Sequence, residues 1–374
     1  MKKKICFVAQ FPPPMHGLSK AVETLYNSEL AEEFEFEKVD ITDNKKILQN
    51  LAAIKKSTAD LFYFTIAQTK GGNLRDLAIF KAIGNRPCLI HLHGGYYRTL
   101  VDSLPAWSRK ANYKAISKLN GAIVLGPSLK WIFEGMLPDK KIFTVANCVD
   151  DEYLMSDKEF EEKVNTVNLR KVKHVLYLSN FIRSKGYPEV LEMAKLEKER
   201  GDERRFHFDF AGKFFEKSEE DFFWRYIREH GLEDYVTYHG IVGGDKKREL
   251  LKLCDVFCLL TTYPNEGQPI SILEAMGNGM VIVTTDHAGI PDIVTDGVNG
   301  IVVEEINTEH IMWTLERMKY MVIENNNRKL ILRGYKEENY TNNMKIIFRG
   351  GYWKSNYIVF LKTYWAELNY KEAA

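Results

Sequence analysis

Cysteine is scarce in this chain: five among 374 residues, at Cys6, Cys88, Cys148, Cys254 and Cys258. An odd, scattered set is no disulfide framework, and no pair has the C-x-x-C spacing of a zinc or redox site. Cys254 and Cys258 flank the apolar run Cys254-Asp-Val-Phe-Cys-Leu-Leu260 and read as small core residues, a usage that fits a reducing compartment. Long apolar runs are missing too, since no uncharged stretch approaches the roughly 20 residues that cross a bilayer. Met1-Lys-Lys-Lys4 imitates the basic start of a signal peptide. The apolar segment behind it, Ile5 to Ala9, is shorter than the roughly 7–15 residues such a signal needs and reads as a buried first strand. These absences predict a cytoplasmic protein whose membrane contact, if any, is peripheral. Prolines number only 11, and with 45% hydrophobic and 28% charged residues the composition excludes disorder and collagen. No repeat of about 20–50 residues is present. Net charge is nearly absent as well, with 52 Lys and Arg against 51 Asp and Glu. A dedicated nucleic-acid binder is usually strongly basic, so the balance argues against one.

That balance conceals a split. Residues 1–150 hold 21 Lys and Arg against 14 Asp and Glu, and the remainder holds 31 against 37. The positive excess gathers in residues 81–118, where Lys81, Arg86, Arg98, Arg109, Lys110, Lys114 and Lys118 face the single acid Asp102. Tyr96, Tyr97, Leu104, Trp107 and Tyr113 lie among these cations. Cations mixed with interfacial aromatics suit a surface resting on anionic lipid, and equally a solvated basic helix over its own core.

A chain of 374 residues exceeds the roughly 250–300 at which single cores stop growing, so two domains are expected. Short Val-, Ile-, Leu- and Phe-rich runs alternate with helical patterns. They read as strands at Lys4–Ala9, Asp60–Thr65, Cys88–His93, Gly121–Leu125 and Lys141–Val145. A second series comprises His174–Leu178, His207–Ala211, Val236–His239, Val256–Leu260, Val281–Thr284 and Gly300–Val303. Runs without alternation suit strands covered on both faces, and interleaved helices imply parallel sheets with right-handed crossovers. The charged stretch Asp150 to Arg170 reads as the seam, a linker or edge. Domains are expected over 1–165 and 166–345, with an aromatic helix over 346–374, its Tyr352-to-Trp365 segment apolar enough to require docking.

The most informative stretch is Asn265-Glu-Gly-Gln-Pro-Ile-Ser-Ile-Leu-Glu-Ala-Met-Gly-Asn-Gly279. It follows a buried strand, and in open α/β sheets ligands bind beyond the carboxyl ends of strands. Gly267 permits close backbone approach. The helix that follows offers free amides to an anion. Glu266 and Glu274 could accept bonds from vicinal sugar hydroxyls. From chemistry alone they read equally as a solvated loop glutamate and a helix-capping one.

With Gly289-Ile-Pro-Asp292 and Asp296-Gly-Val-Asn-Gly300, this block resembles the E-x7-E region of retaining glycosyltransferases of family 4. That resemblance implies a GT-B fold: two Rossmann-like, doubly wound domains facing each other across a cleft, the final helix returning to the first. It implies transfer of a sugar from a nucleotide-sugar, a UDP-sugar by preference, to a hydroxyl of a glycan or lipid-linked glycan, in cell-surface polysaccharide synthesis. In such enzymes Glu274 binds the ribose and Glu266 the donor sugar, while Gly267, Gln268 and Ile270 line the donor. Ser179-Asn-Phe-Ile-Arg-Ser-Lys-Gly186 is similar to the loop whose lysine, here Lys185, contacts the diphosphate. Asn180 stands where relatives often carry an arginine, which makes Arg183 the substitute. Phe11-Pro-Pro-Pro-Met-His-Gly17 resembles the first loop, with His16-Gly17 in place of a glycine pair and Gly17 near the phosphate. His91-Leu-His93 resembles the strand-end histidine of the reacting centre. Alternation puts both rings on one side, and position favours His93.

No D-x-D of the kind GT-A enzymes use for a metal-bound diphosphate ends a strand; the resemblance to GT-B enzymes implies that basic side chains and helix N-termini neutralise the leaving group, with no metal and no cofactor, and a His-x-His pair without a third ligand is no metal site. Two other readings stay open. One is a nucleotide-sugar 2-epimerase of the same architecture; the other is a non-catalytic partner in a glycan-assembly complex.

Overall fold

The computed structural model describes residues 2–350 except 202. These form two compact units, residues 2–148 with 337–350, and Val149–Lys336. The first holds a six-stranded sheet of β1 (Lys4–Ala9), β2 (Glu35–Asp40), β3 (Leu61–Thr65), β4 (Cys88–His91), β5 (Gly121–Val124) and β6 (Ile142–Thr144), in spatial order β2-β1-β3-β4-β5-β6. The second holds β7 (Lys173–Leu178), β8 (Phe206–Ala211), β9 (Val236–Tyr238), β10 (Val256–Leu259), β11 (Val281–Thr285) and β12 (Gly300–Val303), in order β12-β11-β10-β7-β8-β9. All pairings are parallel. Each unit is therefore doubly wound, and the direction of winding reverses at β1/β3 in the first and at β7/β10 in the second.

Every strand expected from the sequence is present, with ends moved by one or two residues. The strand not anticipated is β2, Glu-Phe-Glu-Lys-Val-Asp. Among the described residues it is an edge strand, paired with β1 alone. Its charged residues meet solvent instead of a second strand, which keeps the edge from pairing further.

The first unit is completed from far down the chain. The Glu337–Phe348 helix buries Tyr340, Met344, Ile347 and Phe348 in one cluster with Phe7, Phe34 and Tyr63. The Phe348 ring lies 5.8–6.1 Å from those three rings, edge-on to each. Beside it Arg349 grips Glu33 through two bonds of 2.6 and 2.7 Å. Four buried side chains at roughly 1.5–3 kcal/mol each make this docking substantial, as an upper bound. The return thus begins at 337, ahead of the expected 346. Residues 352–365 lie outside the described residues.

The charged seam is not a linker. Ser156 and Glu159 form a reciprocal capping box that starts the Asp157–Val167 helix, and Phe160, Lys163, Val164 and Val167 are buried. This helix belongs to the second unit, so the division falls at 148/149 and not at 165/166. Its buried Lys163 ammonium donates to the carbonyls of Leu251, Cys254 and Asn278 at 3.3, 2.6 and 3.0 Å.

Glu324, on the Tyr320–Gly334 helix, is buried, and among the described residues neither of its carboxylate oxygens is hydrogen-bonded. Burial pushes its carboxyl up to about 8, against the opposing pull of Lys163. The native chain therefore keeps a proton that the unfolded chain releases from about pH 4.5 upward. The native state binds more protons through this window, so stability falls as pH rises through it. Urea unfolding at pH 5 and pH 8.5 should show the wild-type chain losing on the order of 3 kcal/mol relative to Glu324→Gln. Equal changes in both proteins would refute the assignment.

Candidate functional site

Ligands of doubly wound sheets bind where the winding reverses, outside the carboxyl ends of the strands. In the second unit the loops after β7 and β10 occupy that point, and they are laced together. The Thr262 amide donates to the Ser184 carbonyl at 2.7 Å. Gly186 has φ +83°, and a Cβ there would stand 2.5 Å from the Leu260 carbonyl oxygen, so only glycine fits. The β7 loop is anchored by Phe181, buried between Phe214 at 4.4 Å and Tyr177, Tyr187 and Phe223, each at 5.3 Å.

This lacing brings Lys185 and Glu266 into one ion pair, Nζ to Oε2 at 3.2 Å. The Lys185 ammonium also lies 5.1 Å over the Tyr263 ring. Glu266 starts from a tight turn, its amide donating to the Tyr263 carbonyl at 2.9 Å. Gly267 is buried, and its carbonyl accepts from the Gly289 amide at 2.8 Å, so two separated pieces of the motif meet. Gln268 is buried beside them, and Ile270 opens the Ile270–Gly277 helix behind the N-cap Pro269. The last carbonyls of this helix meet cations: Arg328 donates to Gly277 at 2.8 Å and Lys163 to Asn278. Positive charge at that end complements the helix dipole and leaves the opposite end to an anion.

Glu274 lies inside the helix and is buried. Its Oε1 accepts from Lys247 Nζ at 2.6 Å. The sequence reading missed Lys247, since a lysine in a run of charges reads as solvated surface. Arg183 is not grouped with Lys185. Its guanidinium pairs with Glu219 at 3.4 Å and lies 4.2 Å over Phe222. In Asp296-Gly-Val-Asn-Gly300 the side chains hold a turn: Asn299 accepts from the Thr295 amide at 2.6 Å and Asp296 from the Val302 amide at 2.9 Å.

In the first unit, the loop after β1 leads into the Gly17–Tyr26 helix. His16 is its N-cap, Nδ1 accepting from the Ser19 amide at 3.2 Å while Ser19 Oγ accepts from the His16 amide at 3.0 Å. Gly17 is the first helical residue, where amides lack intrahelical partners. The two histidines at the end of β4 have different surroundings. His91 ends β4, fully buried, with Nδ1 hydrogen-bonded to the Tyr63 hydroxyl at 2.7 Å. His93 follows the strand, half-buried and 3.9 Å from the His91 ring, with the Asn147 side chain beside it. Burial lowers the His93 pKa to about 3, so its imidazole is neutral.

The basic stretch shrinks on inspection. Arg86 donates to the carbonyls of Ile54, Ser57, Ala82 and Ile83, so it is a structural clamp. Arg98 is tied to Asp102 at 2.8 Å and to the Glu134 carbonyl at 2.7 Å. Tyr97 is buried. The Ala106–Ile116 helix keeps Trp107 66% exposed, with Arg109, Lys110 and Lys114 exposed along it and Lys118 just beyond. Among the described residues no group of three or more His, Cys, Asp or Glu could hold a metal ion.

Residues 157–337 match the family model of glycosyl transferases group 1. The match takes in nearly all of the second unit. An uncharacterized glycosyltransferase of Methanocaldococcus jannaschii is 25% identical over 267 residues, 66% of this chain and 63% of that protein. The GDP-mannose:cellobiosyl-diphosphopolyprenol alpha-mannosyltransferase of Xanthomonas oryzae is 23% identical over 235 residues, 62% of this chain and 58% of that one. The chain thus spans less than two thirds of the length of these relatives. Among solved structures, Anabaena HepE in complex with UDP superposes with a TM-score of 0.72 at 16% identity, covering 93% of this chain and all of that one. The fold is GT-B, with two Rossmann-like domains, and the group 1 match falls on the second of them.

The lacing at Gly186 has a testable cost. Gly186→Ala should destabilise the protein by about 2–4 kcal/mol, because the backbone is strained and the Leu260 carbonyl must move. Thermal unfolding checks this; an unchanged melting temperature would show that the loops are not held there.

Proposed function

We propose that the chain is a retaining, metal-independent glycosyltransferase of family 4. It takes a sugar from a nucleotide-sugar, a UDP-sugar by preference, and passes it to a hydroxyl of a glycan or lipid-linked glycan during cell-surface polysaccharide synthesis. The observation that carries this reading is the Lys185–Glu266 pair at the β7/β10 reversal. One ammonium that can offset a leaving diphosphate stands against one carboxylate that can accept sugar hydroxyls. Anabaena HepE, crystallised with UDP and with UDP-glucose, supports the UDP preference. The Xanthomonas relative, which acts on a diphosphopolyprenol-linked acceptor, supports the lipid-linked one.

In this reading Glu274 accepts the ribose hydroxyls. Glu266 accepts those of the sugar, and Gly267, Gln268 and Ile270 line the donor, with Pro269 offering no amide. Lys185 stabilises the charge that builds on the departing phosphate, where a preorganised donor helps most. Gly17 opens a helix whose first amides can assist. Arg183 joins only by leaving Glu219. His93, neutral, lines the reacting centre as a hydrogen-bonding group without charge. The acceptor hydroxyl attacks the anomeric carbon from the face the diphosphate leaves, the bond to the diphosphate breaks, and the proton passes to the departing phosphate oxygen. We propose further that the chain works at the inner face of the membrane. Trp107 would enter the interface while Arg109, Lys110, Lys114 and Lys118 meet anionic headgroups.

Two experiments test the proposal. With a donor found by thermal-shift screening of nucleotide-sugars, Lys185→Ala should cut kcat about 100-fold or more with the circular dichroism spectrum unchanged. NMR of the product should show the donor's anomeric configuration. Near-normal turnover would remove Lys185 from the reaction, and an isomerised nucleotide-sugar formed without acceptor would mean an epimerase. The full chain should also sediment with vesicles containing phosphatidylglycerol and be released by salt. Arg109→Glu with Lys110→Glu should abolish that binding; unchanged binding would overturn the membrane surface.

A further inference from the structure

Lys247 stands where helix electrostatics disfavour it. It is the fourth residue of the Gly244–Leu253 helix, in a first turn where Asp245 suits the dipole and Lys246 and Lys247 oppose it. The amino end of a helix repels cations. A residue that breaks a local rule is expected to have a compensating contact, and Lys247 has two. Its Nζ lies 2.6 Å from Glu274 Oε1 and 4.1 Å over the Tyr153 ring. Tyr153 is itself fixed at both ends: its hydroxyl accepts from the Gly244 amide at 3.4 Å, and its carbonyl accepts from Asn278 Nδ2 at 2.9 Å.

The partner explains the arrangement. Glu274 sits on the buried side of the Ile270–Gly277 helix. A carboxylate out of water stays ionised only beside a counter-charge. An ionised carboxylate is a pure acceptor with about four lone-pair sites, so it can accept from hydroxyl donors as well as from an ammonium. A protonated or swung-away carboxyl would lose that directed acceptance.

We propose that Lys247 is a positioning residue: with Tyr153 as its backstop, it holds Glu274 charged and oriented so that the nucleotide's ribose is selected by its 2′- and 3′-hydroxyls. The inference rests on the donor reading above, in which Glu274 meets the ribose. It adds a Tyr153–Lys247–Glu274 relay drawn from three separate segments of the second unit. Lys247 touches no substrate in this scheme. Its effect is confined to how well hydroxyls at the ribose are accepted.

The test uses the full chain, with UDP, GDP and their 2′,3′-dideoxy analogues titrated by calorimetry. The wild-type chain should bind one ribonucleotide better than its dideoxy analogue. Lys247→Met should lose about tenfold or more in affinity for that ribonucleotide and less than about threefold for the analogue, erasing the preference. Lys247→Arg should restore most of the preference, and Tyr153→Leu should reduce it with the lysine still present. In turnover, Lys247→Met should raise KM for the donor more than it lowers kcat. Equal losses for both nucleotides in Lys247→Met, or a preference left intact, would overturn the positioning role while leaving the donor reading standing. A wild-type chain that binds neither nucleotide, or does not distinguish it from its analogue, would overturn the donor reading and the inference together. Should Lys247→Met fail to fold, Tyr153→Leu decides by the same comparison.

Discussion

The close approach of two loops in the second unit governs everything that follows from the site. Gly186 lies against the Leu260 carbonyl, and the Ser184 carbonyl is bonded to the Thr262 amide. Without this contact Lys185 and Glu266 would belong to independent loops, free to meet only at an entropic cost. With it, the two charges stand at 3.2 Å before any ligand arrives. The contact is made by backbone and one glycine, so it does not depend on the charged side chains it presents. The aromatic cluster around Phe181 stiffens one loop. The bond between the Gly267 carbonyl and the Gly289 amide stiffens the other.

Buried cations do a second job in the same unit. Lys163 and Arg328 satisfy carbonyls at the carboxyl end of the Ile270–Gly277 helix, and Asn327 bonds the carbonyls of Met280 and Asn299 nearby. Such groups are costly to bury unless fully bonded. Their presence here leaves the helix with its positive end facing the loop of Glu266 and its negative end neutralised. A carboxylate inside the helix, Glu274, is tolerated because Lys247 reaches it from another element. The electrostatics of the site are thus set by residues scattered from Tyr153 to Arg328, few of which lie in the recognisable motif.

This scatter explains what was legible in the sequence. Central strands such as β7 and β10 announce themselves because burial on both faces demands unbroken apolar runs. The Glu266–Glu274 block stood out through its resemblance to a known family, since its chemistry alone reads equally as a solvated glutamate and a capping one. The edge strand β2 was not, since half of it meets water and its charges mimic a loop. The Asp157–Val167 helix was read as a seam because its buried face includes Lys163, a residue that pattern reading assigns to solvent. Arg86 was counted with a basic surface although it is consumed by four backbone carbonyls. In each case the missing information was a long-range partner, which no local pattern contains. One signal was available: Lys246 and Lys247 follow Asp245 in a first turn where the helix dipole favours only the acid, and Lys247 finds its counter-charge on another element.

The docking of the Glu337–Phe348 helix on Phe7, Phe34 and Tyr63 has a consequence for how the chain is made. The first unit is discontinuous, and its last core layer is synthesised after all of the second unit. On the ribosome the second unit can therefore reach its native core while the first still exposes an aromatic face that only later residues cover. Protein engineering inherits the same order. A fragment cut at residue 148 carries an open aromatic surface, whereas a permuted chain that fuses residues 337–374 ahead of Lys4 keeps that surface covered.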